Sequence, residues 1–397
     1  MTRAMDDETR RVFEKIEEYA SVWEETAAAT EAEGHLTAES AAKVKETGVV
    51  RMLQPKEFGG MESHPVDYLK AVLEIGVRDG SAGWVAGVVG IHPHELAQGT
   101  RQLQEELWGE DPDTWIASPY MPGGRAIPVD GGYRFSGRWQ FSSGTDHCTW
   151  VTIGGLICDA DGKPVPGKAA HHFCLPREDY EIVEGSWEVM GLKGTGSKDL
   201  IVNDVFVPEH RVIDTEPVTD GAGSTDPARD TPLYRMPRNI MFSGAITGAT
   251  LALAKGALMS FVDWTQSRTN RFGNASTDPF QLFALAAAGA DIDASILVLL
   301  NDIERAYDKV AAGQQLSFSE RAEIRRNQVR ASHRAAAAAN DVFKVAGGSQ
   351  LHLSNPMQRR WRDSQAALHH IQNQEAPLYH AYGLDLFGHE VKTAVKI

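Results

Sequence analysis

The sequence predicts a mainly α-helical protein with a small β-domain in its middle. Three observations carry this reading. Helix-period segments with capping signals fill residues 1–113, and short β-branched and aromatic runs crowd residues 114–215. Four long helical patterns with short links then follow within residues 216–397. We read these as an N-terminal helical domain, a middle β-barrel domain, and a loop leading into a C-terminal antiparallel four-helix bundle.

In the first region, residues 6–33 read as one polar amphipathic helix. A second helix spans 38–46 and stops at Gly48. The run Gln54-Pro55-Lys56-Glu57-Phe58-Gly59-Gly60 is a loop, and helices follow over 66–78, 81–89 and 101–108.

In the middle region, 115–118, 133–136, 150–153 and 172–175 are strand-like. Pro122-Gly123-Gly124, Asp130-Gly131-Gly132 and Asp161-Gly162 are turns between them. Such spacing predicts a small antiparallel barrel or sandwich. Gly191-Leu192-Lys193-Gly194-Thr195-Gly196-Ser197 reads as a tight turn that lets the backbone pass close to something flat or bulky. It feeds a strand carrying Ile201, Val202, Val205 and Val207.

Residues 216–232 are rich in Asp, Gly, Thr and Pro, and suit either a lid or a plain connector. The bundle starts with a helix over 238–268. Asp278-Pro279 caps the next, to about 312, and Ser317…Glu320 is a capping box for a third, to 345. The last runs over 355–384; Gly244/Gly248 and the alanines at 335–339 permit close helix contacts.

Composition narrows the function. The chain has 397 residues, 42% hydrophobic and 23% charged, as soluble globular proteins do. A net charge of −15 argues against nucleic acid and against an anionic membrane surface as partners. No apolar run approaches a membrane span, and the acidic N-terminus does not resemble a signal peptide. Cys148, Cys158 and Cys174 are odd in number and lack CxxC spacing, which predicts reduced, partly buried thiols in a cytoplasmic protein. Rossmann and P-loop fingerprints are absent, and the pairs His92/His94, His171/His172 and His369/His370 lack metal-ligand spacing, so no metal is expected.

The segment Gly137-Arg138-Trp139-Gln140-Phe141-Ser142-Ser143-Gly144 is the strongest candidate for a site. Read as a strand, it puts Trp139 and Phe141 on one face and ends in small hydroxyls. An isoalloxazine ring needs such a flat apolar wall with polar groups near N5. The same residues also suit an ordinary β-core.

Trp115-Ile116-Ala117-Ser118, Phe141-Ser142-Ser143-Gly144, Gly191 to Ser197 and Asp204-Val205-Phe206-Val207-Pro208 together resemble, in order, the flavin-domain landmarks of the acyl-CoA dehydrogenase superfamily. Arg268-Thr269-Asn270-Arg271-Phe272-Gly273 resembles its arginine…Phe-Gly signature with a one-residue offset. Gly347-Gly348 and Trp361-Arg362-Asp363 resemble its closing motif. The resemblance implies the acyl-CoA dehydrogenase-like fold and flavin contacts from Ser118, Trp139, Phe141, Ser143, Arg268, Gly347 and Gly348. It also implies a homotetramer in which a neighbouring subunit completes each flavin site.

The chain departs from the dehydrogenases in its base. Their catalytic glutamate position falls on Ile371, Glu375 lies four residues off, and no glutamate occurs between Glu216 and Glu304. Val89-Gly90-Ile91-His92, the run from Ser142 to His147, and His370 instead resemble the oxygenase components of two-component phenol hydroxylases. That resemblance implies reduced FMN or FAD as a diffusible co-substrate, delivered by a separate NAD(P)H:flavin reductase. It further implies O2 and oxygen transfer from a C4a-hydroperoxide to a phenolic or polycyclic aromatic. Ser143 would accept from flavin N5–H, and His92 and His370 would be the acid and base. Trp84, His92, Tyr234, Met241, Phe242 and His370 would bind a flat, hydrophobic substrate, with His94, His147 and His369 structural. The alternatives are N- or S-oxygenation on the same fold, an acyl-CoA dehydrogenase, and a non-enzymatic scaffold.

Overall fold

The computed structural model describes residues 4–221, 226–270, 273–391 and 397. Its N-terminal helices are α1 (Asp7–Glu18), α2 (Ala20–Glu33), α3 (Ala38–Thr47), α4 (Pro65–Arg78), α5 (Gly80–Leu96) and α6 (Arg101–Trp108). One helix was expected where α1 and α2 lie; Tyr19, at φ −96° and ψ 3°, divides them. Val12, Ile16, Trp23 and Ala27 stay buried on one stripe across the kink, so periodicity carries no mark of it. Gly48 caps α3 with φ +79°.

Helix α5 overruns its expected end at residue 89 and continues through Pro93 to Leu96. A proline inside a helix costs about 3 kcal/mol. Burial of Trp84, Val85, Val88, Val89 and Ile91 outweighs that at roughly 1.5–3 kcal/mol for each full-sized apolar side chain. Glycines let α4 and α5 cross closely: a Cβ on Gly83 would stand 2.2 Å from the Gly76 Cα. The result is a central helix that carries His92, expected beyond a helix end, through the core.

The strands are β1 (Ile116–Ala117), β2 (Gly124–Val129), β3 (Gly132–Ser142), β4 (Trp150–Ile157), β5 (His171–Pro176), β6 (Glu181–Val183), β7 (Lys198–Pro208) and β8 (Val212–Asp214). They form one sheet in the order β6-β7-β3-β2-β4-β5-β8, with β1 beside β4. The pairing is not wholly antiparallel, contrary to expectation. The path has open edges at β6 and β8, and β4 pairs in parallel with both β1 and β2. Strand β2 was not among the expected strands, and it carries Pro128. The β2–β4 ladder stops at Ala126, so Pro128 owes no hydrogen bond on that side.

The glycine-rich run does form a turn into β7, with a 3₁₀ segment at Lys193–Thr195. Its glycines pass close to other parts of the protein. A Cβ on Gly191 would lie 2.5 Å from the Arg362 carbonyl oxygen, and one on Gly196 would lie 2.5 Å from Asp146 Oδ2.

Beyond the sheet come α7 (Thr215–Thr219), α8 (Arg238–Ser267), a short β9–β10 pairing (Thr269–Asn270 with Gly273–Asn274), α9 (Pro279–Ala311), α10 (Phe318–Val345), α11 (Pro356–Ala367) and α12 (Glu375–Leu386). Helices α8, α9 and α10 pack on one another and α11 packs on α8. The Asp278 cap and the Ser317/Glu320 capping box form as expected. The last expected helix is broken instead. Residues 368–374 turn through a 3₁₀ segment, Ile371–Asn373, held where buried Asn373 donates to the Ala367 carbonyl at 2.9 Å.

The lid candidate at 216–232 lies partly outside the described residues. Its described end is tied down: buried Arg229 donates to Gln104 Oε1 and to Glu57 Oε2, each at 2.8 Å. Contrary to expectation, α8 and α9 are long and apolar enough to cross a membrane by length and composition. The apolar window of α8 is 72% buried in the bundle and that of α9 22%. Phe280, Leu282, Phe283 and Leu297 stand exposed on α9. The three cysteines are free and buried.

Candidate active site

Helix α5, the ends of β1 and β3, helix α8 and the 368–374 turn meet at a narrow cleft. Val88, His92, Ser118, Phe141, Ser143, Phe242 and His370 line it. All but Val88 were singled out from the sequence.

Strand β3 sorts its aromatic residues by a register shift between Trp139 and Ser142. The strand alternation fails there, and Phe141 takes φ +68°. Its ring stands 62% exposed at the mouth of the cleft. Trp139 turns the other way: it is 2% exposed, packs on Phe135, and donates its indole N–H to the Gly154 carbonyl at 2.8 Å. Trp139 therefore belongs to the sheet core and offers no wall to a flavin.

Just past β3, Ser143 Oγ lies 2.7 Å from Ser197 Oγ and receives the Trp84 indole N–H at 3.3 Å. Ser197 Oγ lies 2.7 Å from Thr195 Oγ1, which donates to the Leu192 carbonyl at 2.7 Å. The glycine-rich run thus reaches the cleft through hydroxyl groups.

His92 sits between two hydroxyls. Its Nε2 is 2.8 Å from Ser118 Oγ and its Nδ1 is 3.0 Å from the Tyr120 hydroxyl. Burial pushes its pKa down to about 3, against the pull of Glu95. Behind it, Glu95 Oε1 meets His172 Nδ1 at 2.5 Å, and Glu95 Oε2 is 3.7 Å from Arg238 Nη1. Burial alone would raise the Glu95 carboxyl, but His172 and Arg238 hold it below the usual carboxylate range. Tyr120 stacks on His172 with ring centroids 4.3 Å apart. Burial, and then the Glu95 charge, pushes its phenol well above its ordinary pKa.

Tyr120, Glu95, His172 and Arg238 were missed from the sequence. The available signal was Glu95 itself, a carboxylate in an otherwise apolar helix, which must find partners when buried.

His370 caps the 3₁₀ turn, its Nδ1 accepting the Gln372 backbone N–H at 3.2 Å. Burial and then the nearby Arg325 lower its pKa to about 4. Arg325 is buried, donates to Gln328 Oε1 at 2.7 Å and to Gln372 Oε1 at 2.9 Å, and is itself lowered to about 9 by desolvation.

Other expected residues lie behind the cleft or away from it. Trp84 touches it only through Ser143 and an edge-on contact with His370 at 5.8 Å. Tyr234, fully buried, donates to the Leu53 carbonyl, and Met241 is buried in the core. Neither lines the cleft. His94 and His147 meet the Leu233 and Leu36 carbonyl oxygens, as structural histidines do. Glu375 faces His333 and Tyr379, and among the described residues no carboxylate lines the cleft.

Arg268, Gly347 and Gly348 form a second cluster. Arg268 Nη1 donates to the Ala346 carbonyl at 2.7 Å, and a Cβ on Gly347, at φ +89°, would stand 3.1 Å from the guanidinium. Around Gly348 no atom comes within 4 Å of an added Cβ. Arg271 and Phe272 of the same motif lie outside the described residues. Among the described residues no cluster could hold a metal ion.

The cleft chemistry fits a flavin ring. It offers an exposed aromatic face at Phe141, an apolar wall at Val88 and Phe242, and a hydroxyl at Ser143.

A family model for the acyl-CoA dehydrogenase C-terminal domain matches residues 240–375. The chain is 47% identical to a pigment production hydroxylase of Rhodococcus erythropolis, over 89% of this chain and 91% of that protein. It is 35% identical to HsaA, the oxygenase subunit of a flavin-dependent monooxygenase of Mycobacterium tuberculosis, over 98% of each. The crystal structure of the 3-HSA hydroxylase from Rhodococcus sp. RHA1 superposes with a TM-score of 0.91 at 35% identity, covering 96% of this chain and 98% of that one.

Proposed function

The chain belongs to the oxygenase components of the two-component flavin-dependent monooxygenases, and from that premise we propose how its cleft hydroxylates a small, planar aromatic substrate. The observation that carries the reading is that two neutral histidines, His92 buried and His370 half-buried, line one cleft.

His370 is the donor. Its Nδ1 accepts the Gln372 N–H, so its one hydrogen sits on Nε2 and is free to face the cleft. The Arg325 charge opposes any second proton. His92 is the acceptor. With Nε2 beside the Ser118 hydroxyl, it takes a hydrogen bond from a substrate hydroxyl directly or through Ser118 and orients that hydroxyl. A positioned acid or base of this kind contributes roughly 10²–10⁴-fold in rate. Val88 and Phe242 exclude water, and Ser143 accepts a hydrogen bond from the flavin ring at N5. Reduced FMN or FAD, bound there and reacting with O2, supplies the activated oxygen.

The remaining assignments extend the same reading. A separate NAD(P)H:flavin reductase supplies the reduced flavin. Arg268 and the backbone at Gly347 and Gly348 receive its phosphate. A homotetramer buries the exposed apolar residues of α9 and completes each flavin site. Three buried free thiols suit a reducing, cytoplasmic setting.

The test mixes the protein with photoreduced FMN or FAD, a panel of phenols, indoles and thiophenes, and ¹⁸O2. Labelled hydroxylation of an aromatic carbon is the expected outcome. Oxygenation at nitrogen or sulfur alone favours the alternative chemistry, and hydrogen peroxide as the sole product contradicts both.

A further inference from the structure

The direction of the hydroxyl chain behind Ser143 can be worked out one hydrogen at a time. The Leu192 carbonyl only accepts, so Thr195 Oγ1, at 2.7 Å, donates to it. That commits the only hydrogen on the Thr195 hydroxyl. Ser197 Oγ, 2.7 Å away, must then donate to Thr195, and Ser143 Oγ, 2.7 Å from Ser197, must donate to Ser197. The opposite direction would press a Thr195 lone pair against the Leu192 carbonyl oxygen at 2.7 Å. The Trp84 indole N–H enters Ser143 from the other side. Ser143 therefore meets the cleft with a lone pair and no hydrogen. Thr195, Ser197 and Trp84 are 1%, 3% and 4% exposed, so the chain is shielded from water that could reorient it.

We propose that this one-way chain, Ser143 to Ser197 to Thr195, makes the cleft select reduced over oxidised flavin. The proposal rests on the reading that Ser143 faces flavin N5. Reduced flavin carries a hydrogen on N5 and donates to Ser143. Oxidised flavin carries a bare lone pair there, which the same oxygen repels. Ser197 and Thr195 are thus positioning residues that act through Ser143. The preference suits an enzyme that must take up flavin reduced and give it up oxidised.

The experiment measures dissociation constants for oxidised FMN and FAD by fluorescence, and for the photoreduced forms anaerobically. Wild type is compared with Ser197→Ala, Thr195→Val and Thr195→Ser. Wild type should bind the reduced form more tightly. Ser197→Ala frees the Ser143 hydrogen, and Thr195→Val allows the chain to reverse, so each should tighten oxidised-flavin binding. The reduced-to-oxidised preference should narrow roughly two- to tenfold, the worth of one neutral hydrogen bond. Thr195→Ser keeps the hydroxyl and should keep the wild-type ratio. Thr195→Val is nearly isosteric and carries the test should Ser197→Ala fold poorly. Equal affinity of wild type for the two forms, or an unchanged ratio in both variants, overturns the proposal and leaves the proposed function standing. Failure of wild type to bind either form overturns both.

Discussion

The Tyr120 hydroxyl lies 3.0 Å from His92 Nδ1, on the edge of the imidazole opposite the one that meets Ser118. The Glu95 carboxylate acts on that same hydroxyl. A buried imidazole resists protonation, and Glu95 is the charge that opposes this resistance. Tyr120→Phe removes the hydroxyl that meets His92 Nδ1 and takes away only one oxygen. Hydroxylated product per flavin oxidised should fall at least roughly tenfold while reduced-flavin affinity is kept. Quantifying product and hydrogen peroxide together checks this; wild-type coupling in Tyr120→Phe would remove Tyr120 from proton handling.

His370 makes stability depend on pH. Its folded pKa, about 4, lies below the ordinary 6.5. Between those values the unfolded chain binds the proton and the folded one does not. The contribution is therefore full above about 6.5 and is lost as pH falls towards 4, up to roughly 3 kcal/mol. His92 acts in the same sense down to about 3. Urea unfolding from pH 7 to pH 4.5 should show falling stability in wild type and a shallower fall in His370→Gln.

Trp139 and Phe141 should separate cleanly by mutation. Trp139→Ala removes a buried indole and its bond to the Gly154 carbonyl, and should cost roughly 3–5 kcal/mol. Phe141→Ala removes an exposed ring, should change stability by no more than about 0.5 kcal/mol, and should weaken flavin binding. Thermal melts beside flavin titrations distinguish the two outcomes.

Arg268 offers a test by ligand chemistry. Arg268→Ala should weaken binding of FMN and FAD at least roughly tenfold, yet leave riboflavin, which has no phosphate, nearly unchanged. Equal losses for all three would assign Arg268 to holding Ala346 and Gly347 in place instead.

Legibility in the sequence followed the range of each interaction. Local signals read true: Gly48, Asp278 and the Ser317/Glu320 box each mark the helix end they form. Motif residues reach the cleft where a short segment sets their direction, as at Ser143 and His370. Errors came where tertiary packing overrode a local rule. Pro93 sits inside α5 because the helix is buried on all sides, and Pro128 sits in β2 because its partner strand ends first. A register shift, invisible to alternation, parted Trp139 from Phe141. The ring behind His92 joins residues 95, 120, 172 and 238, and no spacing rule connects positions so far apart.

The most direct measurement is an anaerobic crystal structure with reduced flavin and a hydroxylated aromatic product bound. The account predicts flavin N5 within about 3 Å of Ser143 Oγ, with the product hydroxyl beside His92 and Ser118. A flavin ring lying away from Ser143 and Phe141, or a product with no contact to His92, would contradict it.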